Sequence, residues 1–212
     1  MTTLYLIRHG QTIWNVQKKM QGWNDSPLSE LGIQQAKWLS ERLENVSIDI
    51  IYSSPSGRAL KTAEIVRGTK NIDIIARDNL REINGGMWEG KEQEYIEKEF
   101  KEQLHNYWNA PHLYVPYGGE NFEQVRDRAV KEIENIINEN EGKSILVVTH
   151  GATLKCLMSY VRNISIKDLW EPPYIHQTSL TKIEVDNKKM KVIMYADTSH
   201  YREVEVENVE LT

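Results

Sequence analysis

Ser144–Thr149 reads SILVVT, and His150 and Gly151 follow at once. Four consecutive aliphatic residues with no polar alternation mark a strand buried on both faces, as in a parallel sheet covered by helices. A helix is predicted to follow over 152–161. The N-terminal residues 4–7 (LYLI) and residues 49–52 (DIIY) read as further strands. Each precedes an amphipathic stretch: 29–45, with Ala36, Leu39 and Leu43 on one face, and 57–68. Strands alternating with helices predict an α/β fold with a mostly parallel sheet.

Towards the C-terminus the pattern changes. Residues 178–185 and 191–197 are β-rich and joined by the turn-prone Asp186-Asn187-Lys188-Lys189, which predicts a β-hairpin. In the middle of the chain, 91–106 is polar and helix-prone, 111–119 is irregular, and 120–140 is a long helix. No linker or internal repeat interrupts the sequence. One domain over 1–212 is expected, with a helical insertion or lid at about 91–120 between the second and last parallel strands.

Composition sets the outer limits. The 212 residues are 40% hydrophobic and 27% charged, which is ordinary for a globular protein. The single cysteine, Cys156, excludes an internal disulfide framework and a multi-cysteine zinc cluster. The opening MTTLYLIRHG has no basic segment followed by a long apolar one, so no secretion signal is expected. No segment has the apolar length of a bilayer span, and a cytoplasmic protein without membrane partners is expected. Lys plus Arg number 26 against 31 Asp plus Glu, a net charge of -5. That balance suits a nucleic-acid backbone poorly, but a local cluster of cations in a cleft can still attract a small anion.

Such a cluster is legible at the strand ends, where ligands bind in open α/β sheets. Arg8-His9-Gly10 follows the first strand, and His150-Gly151 ends SILVVT and opens a helix, itself a natural anion site. DIIY leads into Ser53-Ser54-Pro55-Ser56-Gly57-Arg58. Three strand ends thus offer two arginines and two histidines. A lone histidine or arginine at a strand end is most often a capping or surface residue, but three together argue against coincidence. Cations without a metal-ligand pattern point to phosphate, because guanidinium forks match its oxygens. No metal and no cofactor is expected.

Five ordered blocks now become informative together: LYLIRHGQTIWN (4–15), MQGWNDSPLSELGIQQA (20–36), IYSSPSGRALKTAEIV (51–66), LREINGGMWEG (80–90) and VVTHGATLK (147–155). In these the chain resembles the histidine phosphatase, or phosphoglycerate mutase-like, superfamily. In NYWNAPHLYVP, LWEPPYIHQTS and the C-terminal hairpin it is similar to the broad-specificity phosphatases of bacilli. The resemblance implies a three-layer α/β/α fold and a metal-independent phosphomonoester hydrolase acting on small-molecule phosphates through a phosphohistidine. It implies that His9 is the nucleophile, that Arg8, Arg58 and His150 hold the nonbridging oxygens, and that Asn15 adds a neutral hydrogen bond. Glu82 becomes the proton donor and later the base, with Gln21, Gly22 and Gly151 near the phosphoryl group. Gln11 departs from the commoner glutamate without touching this chemistry.

Attack requires an unprotonated ring nitrogen, and Arg8 and Arg58 disfavour imidazolium at His9. Fixed cations then meet the charge on the equatorial oxygens. Two other functions compete. A cofactor-dependent phosphoglycerate mutase would return the phosphoryl group to a bound bisphosphate. Mutases of the family carry a longer insertion and an acid motif such as ERHYG, whereas here the motif is REINGG and His150 follows Glu82 by 68 positions. A phosphate-binding scaffold without turnover typically lacks the nucleophile or the acid, and both are present.

Among the remaining candidates, His105, His112, His176 and His200 read as surface or lid residues. Trp14, Trp23, Trp88, Tyr107, Trp108 and Tyr114 lie near the motif blocks or in the insertion. Core packing explains most such aromatics. Trp108 and Tyr114 are the expected apolar wall above the phosphate. Oligomeric state is not legible.

Overall fold

The structure is a computed structural model that describes residues 1–202; the last ten residues of the expected 1–212 domain lie outside them. The strands are β1 (Thr2–Arg8), β2 (Ile50–Ser53), β3 (Ile74–Ala76), β4 (Ser144–Thr149), β5 (Leu180–Asp186) and β6 (Lys189–Asp197). They form one sheet in the order β3-β2-β4-β1-β5-β6. The first four in that order are parallel, and β5 and β6 add an antiparallel hairpin alongside β1. The short strand β3 is absent from the sequence reading. The insertion lies between the second and last parallel strands, after β3 and before β4.

Burial on both faces of β4 follows from its alternation. Ile145 and Val147 pack with Leu4, Leu6, Ile133, Ile136, Leu154 and Leu157. Leu146 and Val148 face the other way, towards Ile7, Ala36, Leu39, Ile51, Ala59 and Ala63. The first cluster is covered by α6 (Phe122–Glu139) and α7 (Gly151–Val161), the second by α2 (Glu30–Arg42) and α3 (Gly57–Arg67). These are the three layers of an α/β/α fold. Ser29 caps α2 by accepting from the Gly32 N–H at 3.0 Å, and Asn121 caps α6 in the same way from Gln124 at 2.9 Å. A short helix, α1 (Ile13–Val16), follows β1.

Residues 91–120 carry α4 (Gln93–Glu99), α5 (Lys101–Asn109) and a 3-10 turn at Pro111–Leu113. The helix-prone stretch is split at Phe100, whose φ of -133° and ψ of 35° end one helix and begin the next. A third apolar cluster, including Ile83, Trp88, Ile96, Leu104, Tyr107, Tyr114 and Phe122, fastens this segment to the C-terminal side of the sheet through Ala152 and Cys156. Among the described residues no helix is long and apolar enough to cross a membrane.

Candidate active site

Register decides where the two histidines meet. β1 and β4 are parallel neighbours with Arg8 opposite Thr149, so the next residues of both strands leave the sheet at one level. The His9 N–H donates to the Thr149 carbonyl at 2.9 Å, and the His9 and His150 rings lie 5.1 Å apart. On the other side of β4, β2 delivers Ser54, whose hydroxyl lies 2.8 Å from His150 Nε2. Three adjacent strand ends therefore build one site.

The RHG turn needs its glycine because the chain passes so close to α2: a Cβ on Gly10 would sit 2.5 Å from the Gly32 carbonyl oxygen. The Gly10 N–H is held by Thr62 Oγ1 at 3.0 Å. The Gly10 carbonyl lies 2.7 Å from His9 Nδ1, and a carbonyl can only accept, so Nδ1 carries the proton. Arg58 Nε donates to His9 Nε2 at 3.3 Å, which requires a lone pair there. Both contacts fix one neutral tautomer. Burial, then Arg58, then Arg8 push the His9 pKa well below its ordinary 6.5, against an opposing effect from the Gly10 carbonyl. His150 is likewise held neutral, chiefly by burial and then by Arg58.

Arg58 is 1% exposed, and its guanidinium is anchored by two backbone carbonyls and a carboxylate. It donates to Gly22 O at 2.8 Å, Asn24 O at 2.7 Å and Asp25 Oδ1 at 2.8 Å. The 22–24 loop is itself gathered by Glu89, whose carboxylate accepts from the N–H groups of Trp23 (2.7 Å), Asn24 (3.1 Å) and Gly85 (3.0 Å). Arg8 donates to Ile175 O at 2.8 Å, while its Nε is buried with no partner among the described residues. Gly151 lies beside it: a Cβ there would stand 3.4 Å from that Nε, in ordinary contact.

Glu82 lies at the N-terminus of α7. Its Oε1 accepts from Ile83 N (3.0 Å) and Thr153 N (3.1 Å), and its Oε2 from Ala152 N at 3.2 Å, while the Thr153 hydroxyl donates to the Arg81 carbonyl at 2.8 Å. The backbone that carries Glu82 is clamped by Arg128 of α6. All five guanidinium donors are used: two on the Glu120 carboxylate, and one each on the carbonyls of Asn79, Arg81 and Glu82 at 2.8 Å.

These groups open into a cleft of about 530 Å³. Arg8, His9, Asn15, Gln21, Gly22, Arg58, Glu82 and Gly151 line it, whereas His150 lies fully buried behind His9. Asn15 Oδ1 caps α1 by accepting from Thr12, which leaves its amide hydrogens for the cleft. Trp108 also lines it. Tyr114 does not, and its expected place on the wall is corrected: the ring is buried, 5.1 to 5.5 Å from the rings of Trp88, Tyr107 and Phe122. Tyr107, Trp170 and Tyr174 form the aromatic wall instead, beside Ile96 and Leu104. His105, His112 and His176 are exposed, but His200 is buried, its Nε2 3.3 Å from Thr178 Oγ1, and burial pulls its pKa down to about 4. Among the described residues no three His, Cys, Asp or Glu side chains gather in a metal-holding group.

Asp25, Glu89, Glu120 and Arg128 carry no role in the sequence reading. They reach the site only through hydrogen bonds that no local spacing encodes. Trp170 and Tyr174 fall within LWEPPYIHQTS, a signal that was available but pointed to no location.

Comparison with known proteins accords with this geometry. The profile of the Histidine phosphatase superfamily (branch 1) matches residues 4–198. The solved structure of Bacillus stearothermophilus YhfR superposes with a TM-score of 0.93 at 48% identity, covering 94% of this chain and 99% of that one. Phosphoserine phosphatase 1 of Hydrogenobacter thermophilus is 28% identical over 207 residues, 98% of each chain. The "Probable phosphoglycerate mutase GpmB" of Salmonella choleraesuis is 35% identical over 164 residues, 76% of this chain and 75% of its own.

Proposed function

The chain belongs to the histidine phosphatase superfamily and is a phosphatase, and on that premise we propose that it hydrolyses a broad range of small phosphomonoesters through a phosphohistidine at His9, without a metal ion. The observation that carries this reading is the single neutral tautomer of His9. Its bare Nε2 faces the Arg58 guanidinium, in the same cleft as Arg8 and the Glu82 carboxylate.

In the first step His9 Nε2 attacks phosphorus and the ester P–O bond breaks. The departing oxygen takes a proton from Glu82. Oε2 is the oxygen for that proton, because Oε1 already accepts from two backbone N–H groups and Oε2 from one. The Gly10 carbonyl at Nδ1 stabilises the positive ring that results. In the second step water attacks phosphorus, Glu82 takes its proton and the P–N bond breaks, releasing phosphate and restoring the lone pair. Arg8, Arg58 and the α7 N-terminus meet the charge on the equatorial oxygens throughout. Two fixed guanidiniums supply the positive charge that a divalent ion supplies elsewhere, which supports metal independence. A cleft much larger than a phosphate group, with an aromatic wall, supports broad specificity.

The test is a panel of alkyl, sugar, nucleotide and aryl phosphates assayed in EDTA, with a parallel assay of 3-phosphoglycerate plus bisphosphoglycerate. Release of inorganic phosphate in EDTA is expected. Activity abolished by EDTA and restored by Mg²⁺ or Zn²⁺, or phosphoryl exchange without phosphate release, would overturn it.

A further inference from the structure

Lys155 is a cation that the reaction above does not use. It lies on α7, is 3% exposed, and lines the same cleft as His9 and Glu82. A lysine ammonium has three donors. Here one goes to the Glu171 carbonyl, and no carboxylate of the described residues lies within 4 Å to neutralise the charge. A buried ammonium without a counter-ion is costly unless something else completes its shell. Burial, and then Arg162, pull its pKa down to about 8 against an opposing effect from Glu171, whose carboxylate is not in contact, so near neutral pH it is still mostly charged.

Its position relative to the phosphoryl site follows from helix geometry. Gly151, Ala152 and Lys155 all line the cleft, at positions i, i+1 and i+4 of one helix face. Gly151 abuts the Arg8 guanidinium, so Lys155 stands one turn farther along, about 6 Å by helical rise. Both positions open into the one cleft, so a substrate held at Arg8 and His9 can extend towards Lys155. Lys18 and Lys19 also line the cleft, whereas the aromatic wall beyond offers no cation of its own.

We infer that Lys155 forms a subsite for a second anionic group on the substrate, so that among the phosphomonoesters this cleft accepts, those carrying a carboxylate or further phosphate near the ester are preferred. This rests on the phosphatase reading above. The preference is one of binding, and the chemistry at His9 is the same for every ester.

Two probes differ only at the relevant group: 3-phosphoglycerate and glycerol 3-phosphate share a primary phosphate ester on a three-carbon chain, one ending in carboxylate and the other in alcohol. The purified full-length protein is expected to favour 3-phosphoglycerate in kcat/KM by about tenfold or more, the scale of a hydrogen bond to a charged group. Lys155→Met should collapse the ratio towards one, and Lys155→Arg should restore much of it. If 4-nitrophenyl phosphate is hydrolysed but the wild type shows no preference within the pair, the subsite is overturned and the phosphatase reading stands. Equal losses on both probes in Lys155→Met, with the ratio intact, would make Lys155 structural and also overturn it. No turnover of any of the three esters would overturn the hydrolase reading, and the subsite with it.

Discussion

Arg58 donates to Nε2 of His9 at 3.3 Å, so the nitrogen that would attack phosphorus is held bare by the cation that would later face the phosphoryl oxygens. The opposite nitrogen, Nδ1, is committed to the Gly10 carbonyl at 2.7 Å. One backbone carbonyl and one guanidinium thus set both the protonation state and the direction of the ring. Nitrogen-detected NMR should find His9 as the Nδ1–H tautomer and still neutral at pH 6.5, where an ordinary histidine is half protonated. A half-protonated ring at that pH, or the Nε2–H tautomer, would contradict this electrostatic account.

The same burial has a consequence for stability. The pKa values of His9 and His150 are lowered in the folded protein, mainly by burial, while the unfolded chain titrates near 6.5. Below that pH the unfolded state binds protons that the native state refuses, so stability is fully present above about pH 6.5 and is lost as pH falls towards the folded values. Each histidine contributes a slope of at most about 1.4 kcal/mol per pH unit. Tm should therefore fall between pH 7 and 5.5, and His9→Gln should make the fall shallower. A Tm that is flat or rises on acidification would count against neutral buried histidines.

Arg128 is expected to act through Glu82 without touching substrate. Its five donors tie the carbonyls of Asn79, Arg81 and Glu82 to the Glu120 carboxylate, and lysine has too few donors to replace that fork. Arg128→Lys should lower kcat on alkyl phosphates by about tenfold or more and on 4-nitrophenyl phosphate by clearly less, since loosening the loop misplaces the acid. A uniform loss across leaving groups, accompanied by a lower Tm, would make the residue a fold contact only.

Much of this site was legible in the sequence, for identifiable reasons. His9 and His150 stand at the ends of apolar strands, and a glycine after each signals close approach, so their placement follows from periodicity and topology. Glu82 does not. LRE in a loop reads as a surface ion pair, and only the resemblance gave it a role. Strand β3 was invisible because Ile74-Ile75-Ala76 is too short for any alternation to register. Tyr114 was misassigned because position in an irregular segment does not say which way a ring points. Arg128 sits in DRAVKEIEN, which reads as a solvated helix face until its partners, forty-six to forty-nine positions earlier, are brought beside it.

For Glu82 the leaving group is the discriminating variable. An alkoxide needs a proton in the transition state and a nitrophenolate hardly does, so Glu82→Gln should slow phosphoryl transfer from alkyl phosphates by about 10² to 10⁴-fold, and much less from 4-nitrophenyl phosphate. Attack of water on the phosphohistidine should slow for every substrate. A burst of nitrophenol followed by slow turnover is the expected trace. Equal losses for both classes with no burst would assign the proton to another group.

The covalent intermediate is the most direct test of the account. Protein quenched in alkali during turnover of ³²P-labelled substrate should carry label on a single peptide spanning His9, stable to alkali, lost in acid, and absent from His9→Ala. Label that survives acid and maps to Ser54 or Ser56, or undiminished turnover by His9→Ala, would contradict a phosphohistidine at His9.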